Sequence, residues 1–160
     1  MNIAILGYGS IAESHARAVQ VLQDTPEGRD LQIYGVMGRL QEPSEAFARQ
    51  WGMEKATTDL DEILADPAVE VAIICSPSEA HAEQTERALR AGKHVLCEIP
   101  LALSLAETDR LIALADEANR RLMVCHTQRY FPALVAARRM VLSGALHPHA
   151  VVNRYMFGRR

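Results

Sequence analysis

Short apolar runs and longer amphipathic stretches alternate along this chain. Ile3-Ala4-Ile5-Leu6 is a compact apolar run, and a helical pattern follows from about Ser10 to Leu22. A polar loop over Gln23–Asp30, with Pro26 and Gly28, separates it from a second run, Leu31–Met37. The spacing then predicts a helix over Pro43–Trp51 with Ser44 as its cap, a short strand at Lys55–Thr57 and a short helix over Asp59–Leu64, closed by Asp66-Pro67. Val69–Cys75 is almost continuously apolar, as expected of a strand covered on both faces. A helix is predicted over Glu79–Ala91, with Ser78 able to cap it and Gly92 ending it. His94–Cys97 and Leu122–Cys125 read as two further strands. Between them Ser104 and Glu107 have the spacing of a capping box. A last helix is predicted over Pro132–Ser143, ending at Gly144.

Strands alternating with helices indicate a parallel sheet covered on both faces, the doubly wound α/β class. Six such strands complete the sheet before residue 146, so residues 1–146 are expected to form one domain. His149–Phe157 then reads as another strand with nothing left to pair with. Residues 147–160 are therefore expected to begin a second, α+β domain that the chain does not contain. An unpaired apolar strand is a liability, and the alternative is a homodimer in which this strand finds its partner.

The first turn carries the most chemistry. Gly7-Tyr8-Gly9-Ser10-Ile11-Ala12 follows the first strand directly and opens the first helix. This strand–turn–helix context suits a dinucleotide pyrophosphate. Gly7 permits the sharp turn, Gly9 lets the main chain approach a phosphate, and Ala12 lets the helix pack closely on the strand. The unpaired N–H groups of the first helical turn then face the anion. The competing reading is a tight βα turn without a ligand.

Cofactor choice falls at the end of the second strand, which reads Val36-Met37-Gly38-Arg39-Leu40. An NAD site places an acidic residue there to hold the ribose hydroxyls. None is present, and Arg39 suits a 2′-phosphate, so NADP is expected over NAD. In an open α/β sheet, ligands lie beyond the carboxyl ends of the strands. Three predicted strands end Cys75-Ser76, Cys97-Glu98 and Cys125-His126, which places Ser76, Glu98 and His126 on one rim. Pro77 makes the turn after Ser76 rigid, and His81 falls in the first turn of the next helix.

Charge and composition narrow the classes. With 49% hydrophobic and 23% charged residues, the chain resembles an ordinary folded domain. A net charge of −3 argues against a general nucleic-acid binder. No run suits a membrane span or a secretory leader. The three cysteines lack metal-ligand spacing, so reduced thiols in a cytoplasmic protein are expected, with no metal. His147 and His149 flank Pro148 and are likewise not expected to hold a metal. All 20 acidic residues lie at or before Glu117, whereas eight arginines follow Ala118. That end is either a solvated basic face or a surface turned towards an anionic cofactor or substrate.

Taken together, Gly7–Ala12 with His15, Cys75-Ser76-Pro77 with His81, Ala91-Gly92-Lys93-His94-Val95 and Glu98-Ile99-Pro100 resemble the glucose–fructose oxidoreductase/inositol dehydrogenase/MocA family. The resemblance spans essentially the whole chain, as that family's N-terminal NAD(P)-binding Rossmann domain. It implies NAD(P)-dependent hydride transfer at a hydroxyl, hemiacetal or aldehyde carbon. It assigns the pyrophosphate to the amides of Gly9, Ser10, Ile11 and Ala12, beside Gly7 and Tyr8, and the adenosine end to Gly38 and Arg39. Cys75, Ser76, Pro77, His81, Glu98, Ile99 and Pro100 then surround the nicotinamide half. Ile99 departs from the family pattern, which has a lysine there, and this puts the ordinary sugar mechanism in question.

Glu98-Ile99-Pro100-Leu101, Met37-Gly38-Arg39, Val124–Tyr130 and Arg154–Phe157 resemble the branch of 4-carboxy-2-hydroxymuconate-6-semialdehyde dehydrogenases. Phe131 departs from an asparagine frequent in that motif. The branch implies NADP and a small carboxylated substrate. The resemblance also places the catalytic histidine in a second domain, so this chain alone is expected to turn over little or nothing. His126 and Arg129 are the catalytic candidates within this chain. The alternatives are a non-catalytic nucleotide-binding module and a sugar or inositol dehydrogenase of the same family.

Overall fold

The computed structural model describes residues 1–149 and contains two units, Met1–Cys125 and a second that begins at His126. The sequence placed a boundary further on, between residues 146 and 147. The strand expected over His149–Phe157 lies outside the described residues from Ala150 onward.

The first unit is a six-stranded parallel sheet. Its strands are β1 (Asn2–Leu6), β2 (Gln32–Met37), β3 (Lys55–Thr57), β4 (Val71–Ile74), β5 (His94–Cys97) and β6 (Leu122–Val124). They lie in the order β3-β2-β1-β4-β5-β6, and every pairing is parallel. This is the doubly wound Rossmann order. Five helices connect the strands: α1 (Ser10–Gln23), α2 (Gln41–Trp51), α3 (Leu60–Ala65), α4 (Ser78–Arg90) and α5 (Leu105–Glu117).

Period-two alternation in β1 divides the core. Ile3 and Ile5 join Ala12, Ala16 and Val19 of α1 and Phe47 of α2 on one face. Ala4 and Leu6 join Leu64, Leu89, Leu111 and Leu114 on the face covered by α3, α4 and α5. Both sides of the strand are thus removed from water, which accounts for its unbroken apolar run.

Several helix starts differ from the sequence expectation. The helix expected from Pro43 begins at Gln41, so Pro43 sits in the first turn, where its missing N–H costs nothing. Ser44 does not cap it: the hydroxyl is buried inside the helix and donates to the Leu40 carbonyl at 2.8 Å. Ser78 likewise caps nothing. The Pro77 carbonyl accepts from the Ala80 N–H at 2.9 Å, so α4 starts one residue earlier than expected. The Ser104 cap stands, with its Oγ accepting from the Glu107 N–H at 3.2 Å. Gly92 follows α4 with φ +73°, the left-handed residue that ends a helix.

Lys93 is buried and donates from Nζ to the Asp66 and Val69 carbonyls, each at 2.8 Å. It pins the loop entering β4 and belongs to the scaffold rather than to the rim at the strands' carboxyl ends.

In the second unit, a 3₁₀ turn over Thr127–Tyr130 precedes α6 (Pro132–Leu142). Pro132 occupies the first turn of α6 after an extended Phe131. Among the described residues no helix is long and apolar enough to cross a membrane.

Candidate cofactor site

β1 and β4 are neighbours in the sheet, yet the helices that follow them lie on opposite faces. Their carboxyl ends therefore part and leave a crevice, the place where doubly wound sheets bind ligands. The loop after β1 is held by main-chain bonds to both neighbouring strands. The Gly7 N–H donates to Met37 O at 2.8 Å, and the Cys75 N–H donates to Leu6 O at 2.8 Å. Gly7 has φ +117°, and a Cβ on it would stand 2.8 Å from the Cys75 carbonyl oxygen. Both the conformation and the space demand glycine.

Gly9 is glycine for a different reason. It precedes α1 in extended conformation, and a Cβ on it would meet nothing within 4 Å. No side chain caps α1, so the N–H groups of its first turn are left for an external acceptor. Open space beside an uncapped helix N-terminus fits a pyrophosphate.

A cleft of about 570 Å³ opens here. Of the residues expected from the sequence, Gly7, Tyr8, Gly9, Gly38, Arg39, Cys75, Ser76 and Pro77 line it. Met37, Thr58, Ala80 and Gln84 also line it and were not expected. Ala80 and Gln84 are four residues apart on α4, and Gln84 Oε1 accepts from Ser76 Oγ at 2.6 Å. Helical spacing from the Cys75–Pro77 turn could have found this pair. Thr58 immediately follows β3, whose bounds were read from the sequence as they stand.

Arg39 is the one charged residue among those lining the cleft, and it is exposed. No carboxylate stands at the end of β2. The Gly38 N–H donates to Thr57 O at 3.1 Å, which carries the ladder one residue past the strands.

The remaining expected residues lie outside the cleft lining. Ser10 and Ile11 are exposed on the first turn of α1, and Ala12 is fully buried beneath it. His81 is 1% exposed; its Nδ1 lies 2.7 Å from Pro100 O and its Nε2 2.8 Å from Ser76 O. Both ring nitrogens are engaged, so His81 brackets two loops of the site and has none left for a ligand. The Ile99–Pro100 peptide bond is cis, and Ile99 is exposed.

Glu98 Oε1 lies 2.8 Å from His15 Nε2. Burial raises the affinity of this carboxyl for its proton, but the contacts with His15 and Cys125 outweigh it and hold its pKa below the usual value. Cys125 Sγ lies 4.0 Å from the same His15 nitrogen, and ligand atoms of the three residues fall within 4.8 Å of one another. The sequence anticipated no metal. In this trio the carboxylate already has its partner, and burial pushes the Cys125 thiol up to about 11. Burial likewise raises Cys97 to about 11 and moves Cys75 further in the same direction. All three cysteines are free, and thiols raised in this way are poor nucleophiles at neutral pH. His126 and Arg129 belong to the second unit, where both are exposed and the Arg129 N–H donates to His126 O at 3.0 Å.

Comparison with known proteins agrees with this geometry. The family described as "oxidoreductase family, NAD-binding Rossmann fold" matches residues 1–126. A 4-carboxy-2-hydroxymuconate-6-semialdehyde dehydrogenase of Sphingobium is 32% identical, over 100% of this chain and 49% of its own length. An inositol 2-dehydrogenase of Rhizobium meliloti is 30% identical, over 91% of this chain and 42% of its own. The chain thus spans half or less of the curated relatives it matches. Among solved structures, a levoglucosan dehydrogenase in complex with NADH and L-sorbose superposes with a TM-score of 0.85 at 28% identity. That match covers 91% of this chain and 39% of the other.

Proposed function

Since the chain belongs to the glucose–fructose oxidoreductase/inositol dehydrogenase/MocA family of oxidoreductases with an NAD-binding Rossmann fold, we propose that it forms the cofactor-binding part of an NADP-dependent dehydrogenase. One observation carries the choice of NADP. The cleft is lined by a single charged side chain, Arg39, at the end of β2, and by no carboxylate. A guanidinium favours a 2′-phosphate there, whereas an acidic residue would hold an unmodified ribose.

Each element of the loop has its task. The Gly9 space and the amides of Ser10, Ile11 and Ala12 receive the pyrophosphate. The Met37–Arg39 corner takes the adenosine ribose. The Ser76–Pro77 turn, held by His81 and Gln84, shapes the other end of the cleft. Bound there, the cofactor supplies a hydride acceptor or donor at its nicotinamide ring. The substrate of this reading is a small, carboxylated hydroxyl, hemiacetal or aldehyde compound. The name of the Sphingobium relative supports it, as do the eight arginines of an acid-free C-terminal stretch. The family resemblance assigns the catalytic histidine to a second domain, and on that reading the chain by itself binds cofactor and turns over little.

Calorimetric titration with NADP and NAD in parallel tests the proposal. Wild type binds NADP more tightly, and Arg39→Ala loses about tenfold on NADP and little on NAD. Gly9→Ala keeps its fold, because the new Cβ meets nothing, yet loses both nucleotides. Equal affinities unaffected by Arg39→Ala would remove the NADP assignment. Binding of neither nucleotide would remove the cofactor site.

A further inference from the structure

Gly38 is buried, and the space around it is closed. A Cβ on Gly38 would stand 2.3 Å from both Cδ1 and Cε1 of the Tyr8 ring and 2.6 Å from Ser44 Oγ. Its φ lies outside the left-handed region, so crowding rather than backbone conformation requires glycine at this position. Neither neighbour yields easily. Ser44 is fully buried, with its hydroxyl bonded to Leu40 O at 2.8 Å. Tyr8 is half-buried and packs against the core cluster formed by α1, α2 and one face of the sheet.

Gly38 also immediately follows β2. In a doubly wound nucleotide site, an acidic side chain at this point grips the ribose hydroxyls of NAD and repels a 2′-phosphate. From this coincidence we infer that Tyr8, backed by Ser44, is a specificity-determining residue. Its ring occupies the space that a carboxylate at position 38 would need, and it thereby leaves the ribose corner to Arg39. The inference rests on the cofactor reading above and adds a residue to it: selection against NAD is built into the glycine loop as well as into the end of β2. Tyr8 therefore acts on specificity by excluding a side chain, whatever contact its ring makes with the nucleotide.

The test uses the full chain, NADP and NAD titrations, and a thermal unfolding curve for each variant. Gly38→Asp alone is expected to unfold at lower temperature and to bind both nucleotides about tenfold or more weakly than wild type. Combining it with Tyr8→Ala and Ser44→Ala is expected to restore folding and to shift the NAD:NADP preference at least about tenfold towards NAD. A Gly38→Asp chain that fails to fold while the triple variant folds agrees with the crowding. If wild type prefers NADP and Gly38→Asp alone switches to NAD as fully as the triple variant, the cofactor reading stands and the role of Tyr8 is overturned. A triple variant that remains unfolded, or that still prefers NADP, overturns it as well. Wild type that binds neither nucleotide, or prefers NAD, removes the cofactor reading and this inference together.

Discussion

At the scale of single residues, the site is shaped by groups that do not line it. His81 joins the carbonyls of Ser76 and Pro100, and so ties the loop after β4 to the loop after β5. His81→Phe keeps much of the volume and leaves two carbonyls without this partner. It should cost on the order of 2–4 kcal/mol of stability, read by chemical denaturation. A loss below about 0.5 kcal/mol would show that the bracket carries no weight. The sequence placed His81 beside the cofactor because it stands in a first helical turn. Its true partners are a carbonyl five residues back and one nineteen residues on, and no local pattern encodes that meeting. Gly7 and Gly9 were legible for the opposite reason: their task is set by the turn they occupy.

At the scale of elements, capping separates what local sequence decides from what packing decides. Ser104 and Asp59 both cap their helices, Asp59 accepting from the Asp61 N–H at 2.8 Å. Ser78 was an equally plausible cap from sequence, but the carbonyl of Pro77 takes the bond instead. Ser104→Ala should therefore lose about 1 kcal/mol, and Ser78→Ala should stay within about 0.5 kcal/mol of wild type. Urea denaturation of the two variants side by side measures the contrast, and equal losses would refute it. Strand interiors such as His94–Cys97 were readable because a doubly covered strand needs an apolar run. Strand ends were less so: the apolar pattern included Cys75 and Cys125, and each falls one residue past the observed strand. The entry of α2 was missed because the pattern reads Pro43 as a first residue, while the chain uses it as the third residue of the first turn.

At the scale of the whole chain, three carboxylates among the described residues tie stability to pH. Asp66 is held below its ordinary pKa by the Ala68 N–H and by Lys55, and Glu62 is held low by Thr57 and Lys55. Glu98 is also held low by its contacts with His15 and Cys125, against the effect of burial. A carboxyl with a depressed folded pKa binds fewer protons when folded than when unfolded, so stability rises with pH across that interval. The contribution is complete above the unfolded carboxyl values of about 4 and fades as the pH falls through the folded ones. Denaturation midpoints from pH 7 to pH 3 should therefore drop below about pH 4.5, and Asp66→Ala should flatten part of that drop. A variant with the full wild-type slope would exclude Asp66 as a contributor. The doubly wound class was legible from the alternation of patterns; of the residues that follow the apolar runs, Ser76 lines the cleft, whereas Glu98 pairs with His15 and His126 falls in the second unit. The ring over Gly38 was not legible, because Tyr8 and Ser44 reach it from opposite ends of a long stretch of chain. The strand order has one further effect, in time. β1 lies in the middle of the sheet, but its partner β4 is reached only when Val71 meets Ile3, about 70 residues later. At bacterial-to-eukaryotic synthesis rates of about 5–20 residues per second, one edge of the central strand waits about 4–14 s for its neighbour. The cleft cannot close before then, and the nascent chain is most exposed to wrong strand partners during that interval.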